Sequence, residues 1–168
     1  MARAGIALGS NLGNRLDHLR AALTCLREIA TPGEPVLIAP VYQTEPRFCP
    51  PESPDFYNTV LEIDFEGSAH ELLTITQATE TKLGRSRGSE RNAPRVIDID
   101  LLYLGDLCFN DGALVLPHPR ISERRFVLQP LADIRPTLVL EGLDLPVAEI
   151  LANLHTDEAP LVLVAEHP

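Results

Sequence analysis

The stretch "FYNTVLEIDFE", residues 56–66, shows the clearest period-two alternation in this chain. Successive side chains of a strand point to opposite sides, so a strict alternation of apolar and polar residues indicates a half-buried β-strand. Only Val60 breaks the pattern. We therefore predict a strand whose two sides differ in character. The apolar side would carry Tyr57, Thr59, Leu61, Ile63 and Phe65, and the other side Phe56, Asn58, Glu62 and Asp64.

The segments on either side of this strand predict alternating helices and strands. Downstream, "SAHE" at 68–71 has capping-box spacing and opens a helix that stops at Gly84. Upstream, "AGIAL" at 4–8 predicts a strand, and a helix should run from its N-cap Asn14 to Ala30. "EPVLIAPVYQT" at 34–44 predicts another strand, and Pro40 places it at an edge or bulge. Residues 96–104 predict a further strand. The first helix would bury one stripe of side chains: Leu16, Leu19, Leu23, Leu26 and Ile29.

The order strand, helix, strand, strand, helix, strand is typical of a ferredoxin-like arrangement. We predict an α+β sandwich, with a mostly antiparallel sheet flanked by helices that lie on one face. Beyond residue 104 we expect a hairpin through Gly105 and Asp106, a helix in "FVLQPLADI" at 126–134 and a short helix near 146–154. No repeat or linker is visible, so residues 1–168 should form a single domain.

Composition limits the kinds of protein that this chain can be. Its 168 residues, 45% hydrophobic and 23% charged, can enclose a core without disulfides. No apolar run reaches membrane-spanning length, and the N-terminus lacks a signal-peptide core, so we expect a cytoplasmic protein without a membrane partner. Three scattered cysteines argue against a disulfide framework or a zinc site. The net charge of −10 argues against nucleic-acid binding, and we expect a monomer that binds small molecules.

The basic residues are few but clustered. Thirteen of the fourteen are arginine, and eight of the fourteen lie within residues 82–95 and 120–125. The planar guanidinium group binds phosphate oxygens in a bidentate manner. Two arginine clusters in an acidic chain therefore suggest a small polyanionic ligand, although solvated surface arginines remain an alternative.

Two aspartates stand out in "RNAPRVIDIDLLYLG", residues 91–105. In a strand, Asp98 and Asp100 would point the same way with their Cα atoms about 7 Å apart. Carboxylates this close repel each other unless a cation lies between them, and Mg²⁺ accepts carboxylate, water and phosphate oxygens. Two such ions could clamp a polyphosphate. The alternative is the solvent-facing side of an edge strand. The opposite side would carry Ile97, Ile99, Leu101 and Tyr103.

The neighbourhood of the aspartates favours phosphoryl transfer. Arg95 lies three residues before Asp98, at the end of the arginine-rich loop "GRSRGSERNAPR", 84–95. Enzymes that catalyse phosphoryl transfer typically place cationic side chains, which neutralise phosphate, next to carboxylates that bind metal ions. "GSNLG" at 9–13 lacks the lysine and the spacing of a P-loop, so Gly9 and Gly13 fit a plain tight turn.

A second part of the ligand could bind near the aromatic side chains. Phe56 shares its side of the strand with Asn58, and a ring beside an amide suits a flat heterocycle. Packing of Phe56 under the proline-rich loop 45–55 is the alternative. His118, in the extended "LPHPR", could bond a phosphate oxygen near Arg124 or be an ordinary loop residue. Phe126, taken alone, fits core packing.

Taken together, these blocks resemble the 6-hydroxymethyl-7,8-dihydropterin pyrophosphokinase family of folate biosynthesis. "RNAPRVIDIDLL" looks like the family signature, and "GIALGSNLGNR", "VYQTEP", "PDFYN" and "LPHPRISERRFVLQPLADI" stand in matching order over most of the chain. The resemblance implies transfer of pyrophosphate from ATP to the hydroxymethyl group of the pterin, which leaves AMP.

The resemblance also implies a role for each site residue. Asp98 and Asp100 would hold two Mg²⁺ ions, and Arg85, Arg95, His118 and Arg124 would contact the phosphates, with Arg85 and Arg95 also catalytic. The pterin would stack between Phe56 and Phe126, with Asn58 and the backbone around Thr44 reading its edges. Gln77 and Glu80 would lie near the nucleotide of ATP. Asn92, Pro119, Gly88 and Ala113 stand where some members carry tryptophan, tyrosine, a basic residue and arginine.

Two other classes of function remain open at this point. A nucleotidyltransferase also uses paired acids and two metals on a small α+β sheet, but it releases pyrophosphate rather than AMP. A non-catalytic binding domain of ferredoxin-like type would leave the two arginine clusters unexplained.

Overall fold

The computed structural model describes residues 1–46, 52–84 and 95–168. The helices are α1 (Arg15–Arg27), α2 (Ala69–Lys82), α3 (Arg125–Ile134) and α4 (Val147–Asn153). None of the helices within these ranges combines the length and apolarity that crossing a membrane requires. The strands are β1 (Ala2–Ser10), β2 (Leu37–Ile38), β3 (Val41–Thr44), β4 (Phe56–Phe65), β5 (Asp98–Leu104), β6 (Phe109–Asn110), β7 (Val115–Leu116) and β8 (Val162–Ala165).

The main sheet has the strand order β5-β1-β4-β3-β8, and β2 also pairs with β4. Every pairing within it is antiparallel. The predicted strand 56–66 is the central strand β4, which pairs with β1 from Ala2↔Phe65 to Ser10↔Tyr57. The α+β sandwich of ferredoxin-like type with a mostly antiparallel sheet is therefore confirmed.

Helices cover both faces of the sheet, so the expectation of helices on one face was wrong. On the first face, α1 and α2 pack against Ile6, Leu8, Leu61 and Ile63. On the second face, α3 and α4 pack against Val60 and Leu102. Val60, the residue that broke the alternation of β4, is fully buried in this second cluster. The apolar Val60 on the otherwise polar side of β4 was therefore the local indication that helices cover both faces of the sheet.

The starts of the first two helices agree with their predicted capping residues. Asn14 caps α1, with its side chain accepting a hydrogen bond from the Asp17 backbone, and the helix ends at Arg27, before the predicted Ala30. Ser68 and Glu71 form the capping box of α2, because each side chain accepts from the other residue's backbone N–H. Gly84, just beyond α2, has a φ of +101°, which glycine adopts without strain.

Several connections differ from the predictions. Pro40 separates two short strands, β2 and β3, instead of interrupting one. The predicted hairpin through Gly105 and Asp106 was wrong, because β6 pairs with β7 rather than with β5. In the turn of that pair, Asp111 Oδ1 accepts hydrogen bonds from the backbone of Ala113 and Leu114, each at 3.0 Å. Strand β8 was not predicted, since its four residues lack a half-buried alternation.

A bulge in β5 changes the side on which Tyr103 lies. The register with β1 pairs Gly5 with Tyr103 but Ile6 with Leu101, which leaves Leu102 as an extra residue. Tyr103 therefore joins Leu102 in the second core cluster, whereas the alternation predicted it beside Leu101. Its ring occupies the space beside Gly5, where an added Cβ would lie 2.1 Å from a ring carbon.

Candidate active site

The strand register brings residues from four strands into one row. Tyr42 on β3 lies opposite Asn58 on β4, Asn58 lies opposite Gly9 on β1, and Gly9 lies opposite Asp98 on β5. Directly opposed residues point to the same face of a sheet, and here it is the face that α3 and α4 cover in part. The predicted pterin residue Asn58 and the predicted metal ligand Asp98 thus share one surface, on either side of Gly9.

Gly9 lies inside β1, so the interpretation of Gly9 as a turn residue was wrong. A Cβ at this position would lie 2.9 Å from Asn58 Oδ1. The absence of a side chain at Gly9 therefore lets the Asn58 amide lie close to the β1 backbone. Gly13 does form a turn, with a φ of +62°.

Asp98 and Asp100 lie side by side on β5, which is an edge strand. Their side chains are 27% and 43% exposed, so solvent reaches both carboxylates. Arg95 Nη1 donates a hydrogen bond to Asp98 Oδ1 at 3.1 Å. Arg124 Nη1 lies 3.8 Å from Asp100 Oδ2. Each acid therefore has an arginine beside it, and two of the predicted phosphate-binding residues border the predicted metal ligands.

Arg124 links the acids to the predicted pterin site. Its guanidinium carbon lies 5.5 Å from the centre of the Phe126 ring. Burial and the nearby Arg120 lower the pKa of Arg124, while Asp100 and Asp98 act in the opposite direction. An arginine keeps its charge despite such a shift, so a cation lies between the carboxylates and the ring.

His118 is held close to β5 by its own backbone, whose N–H donates to the Leu102 carbonyl at 2.7 Å. The ring nitrogen Nδ1 accepts a hydrogen bond from the Arg120 backbone at 3.1 Å. In the neutral imidazole the proton must then reside on Nε2, which can donate. Burial, and then the charges of Arg124 and Arg120, lower the pKa of His118. The geometry thus suits a neutral hydrogen-bond donor to a phosphate oxygen.

The predicted pterin residues come from three elements. Thr44 and Phe56 are opposed in the β3–β4 pairing. Asn58 Nδ2 donates to Thr44 Oγ1 at 2.7 Å, which orients an amide that is only 6% exposed. Phe126 lies in the first turn of α3 and packs partly against the second core cluster. The structure thus brings Asn58 and Thr44 into direct contact.

One buried residue beside this site was not predicted. Asn11 is fully buried, and its Oδ1 accepts a hydrogen bond from the Arg95 backbone at 2.8 Å. Its Nδ2 donates to the Pro54 carbonyl at 3.3 Å. Asn11 therefore joins the end of β1 to Arg95, three residues before β5, and to the segment before β4. Asn11 is part of "GSNLG", whose local pattern resembles an ordinary turn, so the pattern did not indicate this connecting role.

The other predicted nucleotide residues lie elsewhere. Gln77 is on the exposed side of α2, which packs on the sheet face opposite the carboxylates. Glu80 is buried, and its Oε1 accepts a hydrogen bond from the Ile99 backbone at 2.7 Å, on the outer edge of β5. Contact of either residue with a nucleotide stays a prediction. Arg85, together with Gly88 and Asn92, lies outside the described residues.

The donor set fits a hard divalent cation. Within the described ranges, no three His, Cys, Asp or Glu side chains converge on one point. Two partly exposed carboxylates are nevertheless the protein ligands that Mg²⁺ needs when waters and substrate phosphates complete its shell. Asp98 and Asp100 therefore suit magnesium better than a metal that requires a full set of protein ligands.

A pocket of about 540 Å³ opens at the other end of the sheet. It is lined by Ile29, Phe65, His70 and Ile75, among others. Phe65 pairs with Ala2, at the end of β1 opposite Gly9, so this pocket contains none of the predicted site residues.

Comparison with known proteins agrees with these observations. Residues 5–136 match the family described as 7,8-dihydro-6-hydroxymethylpterin-pyrophosphokinase (HPPK). A Methylorubrum extorquens protein named 2-amino-4-hydroxy-6-hydroxymethyldihydropteridine pyrophosphokinase is 41% identical over 154 residues, which are 92% of this chain and 94% of that protein. A Bacillus subtilis protein of the same name is 39% identical, over 78% of this chain and 77% of its own length.

Longer proteins also contain a matching segment. The chain spans only 18% of the folic acid synthesis protein fol1 of Pneumocystis carinii, at 37% identity. A crystal structure of Plasmodium falciparum HPPK-DHPS matches 90% of this chain and 44% of that chain, with a TM-score of 0.71. At 13% identity, that likeness concerns the fold alone. The family match and the bacterial relatives are decisive: this chain belongs to the 7,8-dihydro-6-hydroxymethylpterin-pyrophosphokinase family.

Proposed function

We propose that this chain transfers pyrophosphate from ATP to the hydroxymethyl group of 6-hydroxymethyl-7,8-dihydropterin in folate biosynthesis, giving AMP and the pterin diphosphate. Membership of the family supports this reaction. The observation that carries it is the placement of Asp98 and Asp100 beside Arg95 and Arg124, on the same face as Asn58. Groups for metal, phosphate and heterocycle thus share one surface.

Asp98 and Asp100 would hold two Mg²⁺ ions. When bound, the ions would neutralise the phosphate charge and make the pterin hydroxyl group easier to deprotonate. The supporting observation is the partial exposure of both carboxylates. No side chain is assigned as the general base.

Three basic side chains would bind and orient the phosphates of ATP. Arg95 lies 3.1 Å from Asp98, and Arg124 lies 3.8 Å from Asp100. Both arginines are therefore close enough to bind the phosphate oxygens that the metal ions would contact. His118 would donate from Nε2 without adding charge. Arg85, on the loop outside the described residues, is proposed to join them. Positioning and charge neutralisation provide most of the catalysis in such transfers. Gln77 and Glu80 are proposed to lie near the nucleotide.

The pterin would lie between Phe56 and Phe126, with its edges read by Asn58 and the backbone around Thr44. Asn58 and Asp98 are separated by two strand spacings, about 10 Å. A bicyclic ring bound at Asn58 would therefore bring its hydroxymethyl group close to the carboxylates. This distance supports the division of the face into a pterin end and a phosphate end.

We further propose that residues 1–168 form one catalytic domain that acts as a monomer in the cytoplasm, without nucleic-acid or membrane partners. The M. extorquens relative supports a domain of this size, because the match spans 94% of its length. The net charge of −10 supports small ligands over nucleic acid.

Phosphorus NMR of ATP, Mg²⁺ and 6-hydroxymethyl-7,8-dihydropterin incubated with the protein tests the proposal. AMP and a pterin diphosphate should form, and they should be absent with Asp98→Ala. Asp106→Asn, in the turn after β5, is the matched control and should behave as the wild type. Release of free pyrophosphate would indicate nucleotidyl transfer instead, and unchanged ATP would contradict an enzymatic function.

A further inference from the structure

Tyr42 occupies the β3 end of the row that contains Asn58, Gly9 and Asp98. Its direct opposition to Asn58 places both side chains on the same face of the sheet. Tyr42 is half-buried.

The Tyr42 hydroxyl group reaches across to α3. It donates a hydrogen bond of 2.6 Å to Asp133 Oδ2. The other carboxylate oxygen, Oδ1, accepts from Gln129 Nε2 at 3.0 Å. Both oxygens of Asp133 are therefore engaged, which holds its side chain in one orientation. Burial, together with Asp133, raises the pKa of Tyr42 to about 12, so the hydroxyl group keeps the proton that it donates.

Asp133 lies on the same side of α3 as Phe126. Phe126, Gln129 and Asp133 are spaced three and four residues apart, which aligns them along one stripe of a helix. Asp133 lies seven positions after Phe126, about 10 Å along the axis. A bond at Asp133 therefore acts on the same helix that carries the proposed stacking ring, with Pro130 between the two positions.

Polar contacts join both ends of the helix to the sheet. Near its start, Arg124 lies 3.8 Å from Asp100 on β5. Near its end, Asp133 accepts the bond from Tyr42 on β3. The proposed pterin site lies between α3, which contributes Phe126, and the β3–β4 pair, which contributes Thr44 and Asn58. The gap between Phe126 and that pair depends on how α3 is held relative to β3.

We propose that Tyr42 is a positioning residue for pterin recognition: its bond to Asp133 holds α3 at the distance from β3 that lets the heterocycle fit between Phe126 and Phe56, with its edge at Asn58. This inference rests on the proposed function. Tyr42 acts through α3 and not on the transferred group, because Asp98, Asp100 and Arg95 are held by contacts within and around β5.

The consequence is a selective loss of pterin affinity. Tyr42→Phe removes the hydroxyl group but keeps the ring, so α3 loses one attachment while the sheet remains packed. Pterin affinity should fall about fivefold, which corresponds to about 1 kcal/mol. The KM for ATP and the kcat should change by less than about twofold, because Asp98 keeps its bond to Arg95, and Arg124, at the other end of α3, keeps its contact with Asp100.

A double-mutant cycle of Tyr42→Phe and Asp133→Ala provides the test. Pterin affinity is measured by calorimetry with Mg²⁺ and α,β-methylene-ATP, in which the bond cleaved in pyrophosphate transfer is replaced. Each single variant should lose about fivefold in pterin affinity, and the double variant should lose no more than either single variant, because both substitutions remove the same bond.

Tyr57→Phe is the matched control. Its ring lies on the opposite face of β4, 3.8 Å from the Arg15 guanidinium carbon, and its affinity should equal that of the wild type.

Three results would overturn the inference alone: unchanged pterin affinity in Tyr42→Phe, additive losses in the double variant, or equal losses in kcat and in the affinities for ATP and pterin. The third result would indicate a general structural role. A wild-type protein that binds no pterin would overturn the proposed function and, with it, this inference. The two failures are thus distinguished by the wild-type titration.

Discussion

The second face of the sheet carries two acidic sites that differ in how their charge is balanced. Glu62 is fully buried, and its carboxylate accepts hydrogen bonds from Arg3 at 2.8 Å, from Arg135 at 3.0 Å and from the Tyr103 hydroxyl group. Asp98 and Asp100 lie on the edge strand with side chains 27% and 43% exposed. One site is enclosed by the protein, and the other is open to a ligand.

This difference separates a structural acid from a candidate catalytic pair. A buried carboxylate is tolerated only when protein partners satisfy it, and Glu62 has three of them, from β1, from β5 and from the residue after α3. The network connects the end of α3 to the sheet. A partly exposed pair can instead exchange water for a metal ion. Substitutions that remove a carboxylate charge should therefore abolish activity at Asp98 or Asp100 and lower the free energy of unfolding at Glu62.

The largest expected effect is the loss of turnover on substitution of the open pair. Alanine at Asp98 or Asp100 should lower kcat about a thousandfold, the upper end of the range for losing one preorganised charge-stabilising group. The melting temperature should stay within a few degrees of the wild type, because removing one of two like charges relieves repulsion. Steady-state kinetics and thermal unfolding measure the two quantities. Wild-type turnover in either variant would remove the basis of the metal assignment. Asp17→Asn, on the exposed side of α1, serves as the control.

The next effect concerns the enclosed site. Glu62→Gln should lower the free energy of unfolding by about 3 kcal/mol, since it leaves Arg3 and Arg135 without their shared buried anion. Tyr103→Phe removes a single donor and should cost about 1 kcal/mol. Denaturant unfolding measures both losses, and kcat below the transition should stay close to the wild type. A Glu62→Gln protein of normal stability but low kcat would contradict the comparison, because the enclosed acid would then behave like the open pair.

The smallest effect is a pH dependence of stability that originates beside the open pair. Burial and two arginines lower the pKa of folded His118, so the unfolded chain, with a histidine pKa of about 6.5, binds the proton more readily. The contribution of His118 to the free energy of unfolding is therefore fully present above about pH 6.5 and is lost as the pH falls below that value. The free energy of unfolding at pH 7.5 and at 5.5 should differ less in His118→Gln than in the wild type. Equal differences in the two proteins would contradict the assignment.

Several predictions that depended on a few adjacent residues were confirmed, whereas some that depended on distant residues were wrong. The capping box of Ser68 and the N-cap Asn14 were predicted correctly because a few adjacent residues determine them. The hairpin at Gly105 failed because a glycine turn indicates a reversal without specifying which strands pair. Tyr103 was assigned to the wrong side because a bulge, which changes the alternation, depends on the neighbouring strand.

By itself, the sequence determined the alternation of strands and helices up to β5, the shared side of Asp98 and Asp100, and the membership of its family. These follow from short-range periodicity and from conspicuous blocks of residues. Only the tertiary structure decided that Asn58, Gly9 and Asp98 form one row, that Glu62 is enclosed by Arg3, Arg135 and Tyr103, and that Tyr42 reaches Asp133. The physical reason is that strand register and helix packing join residues far apart in the chain, and the alternation within one strand contains no information about its partners.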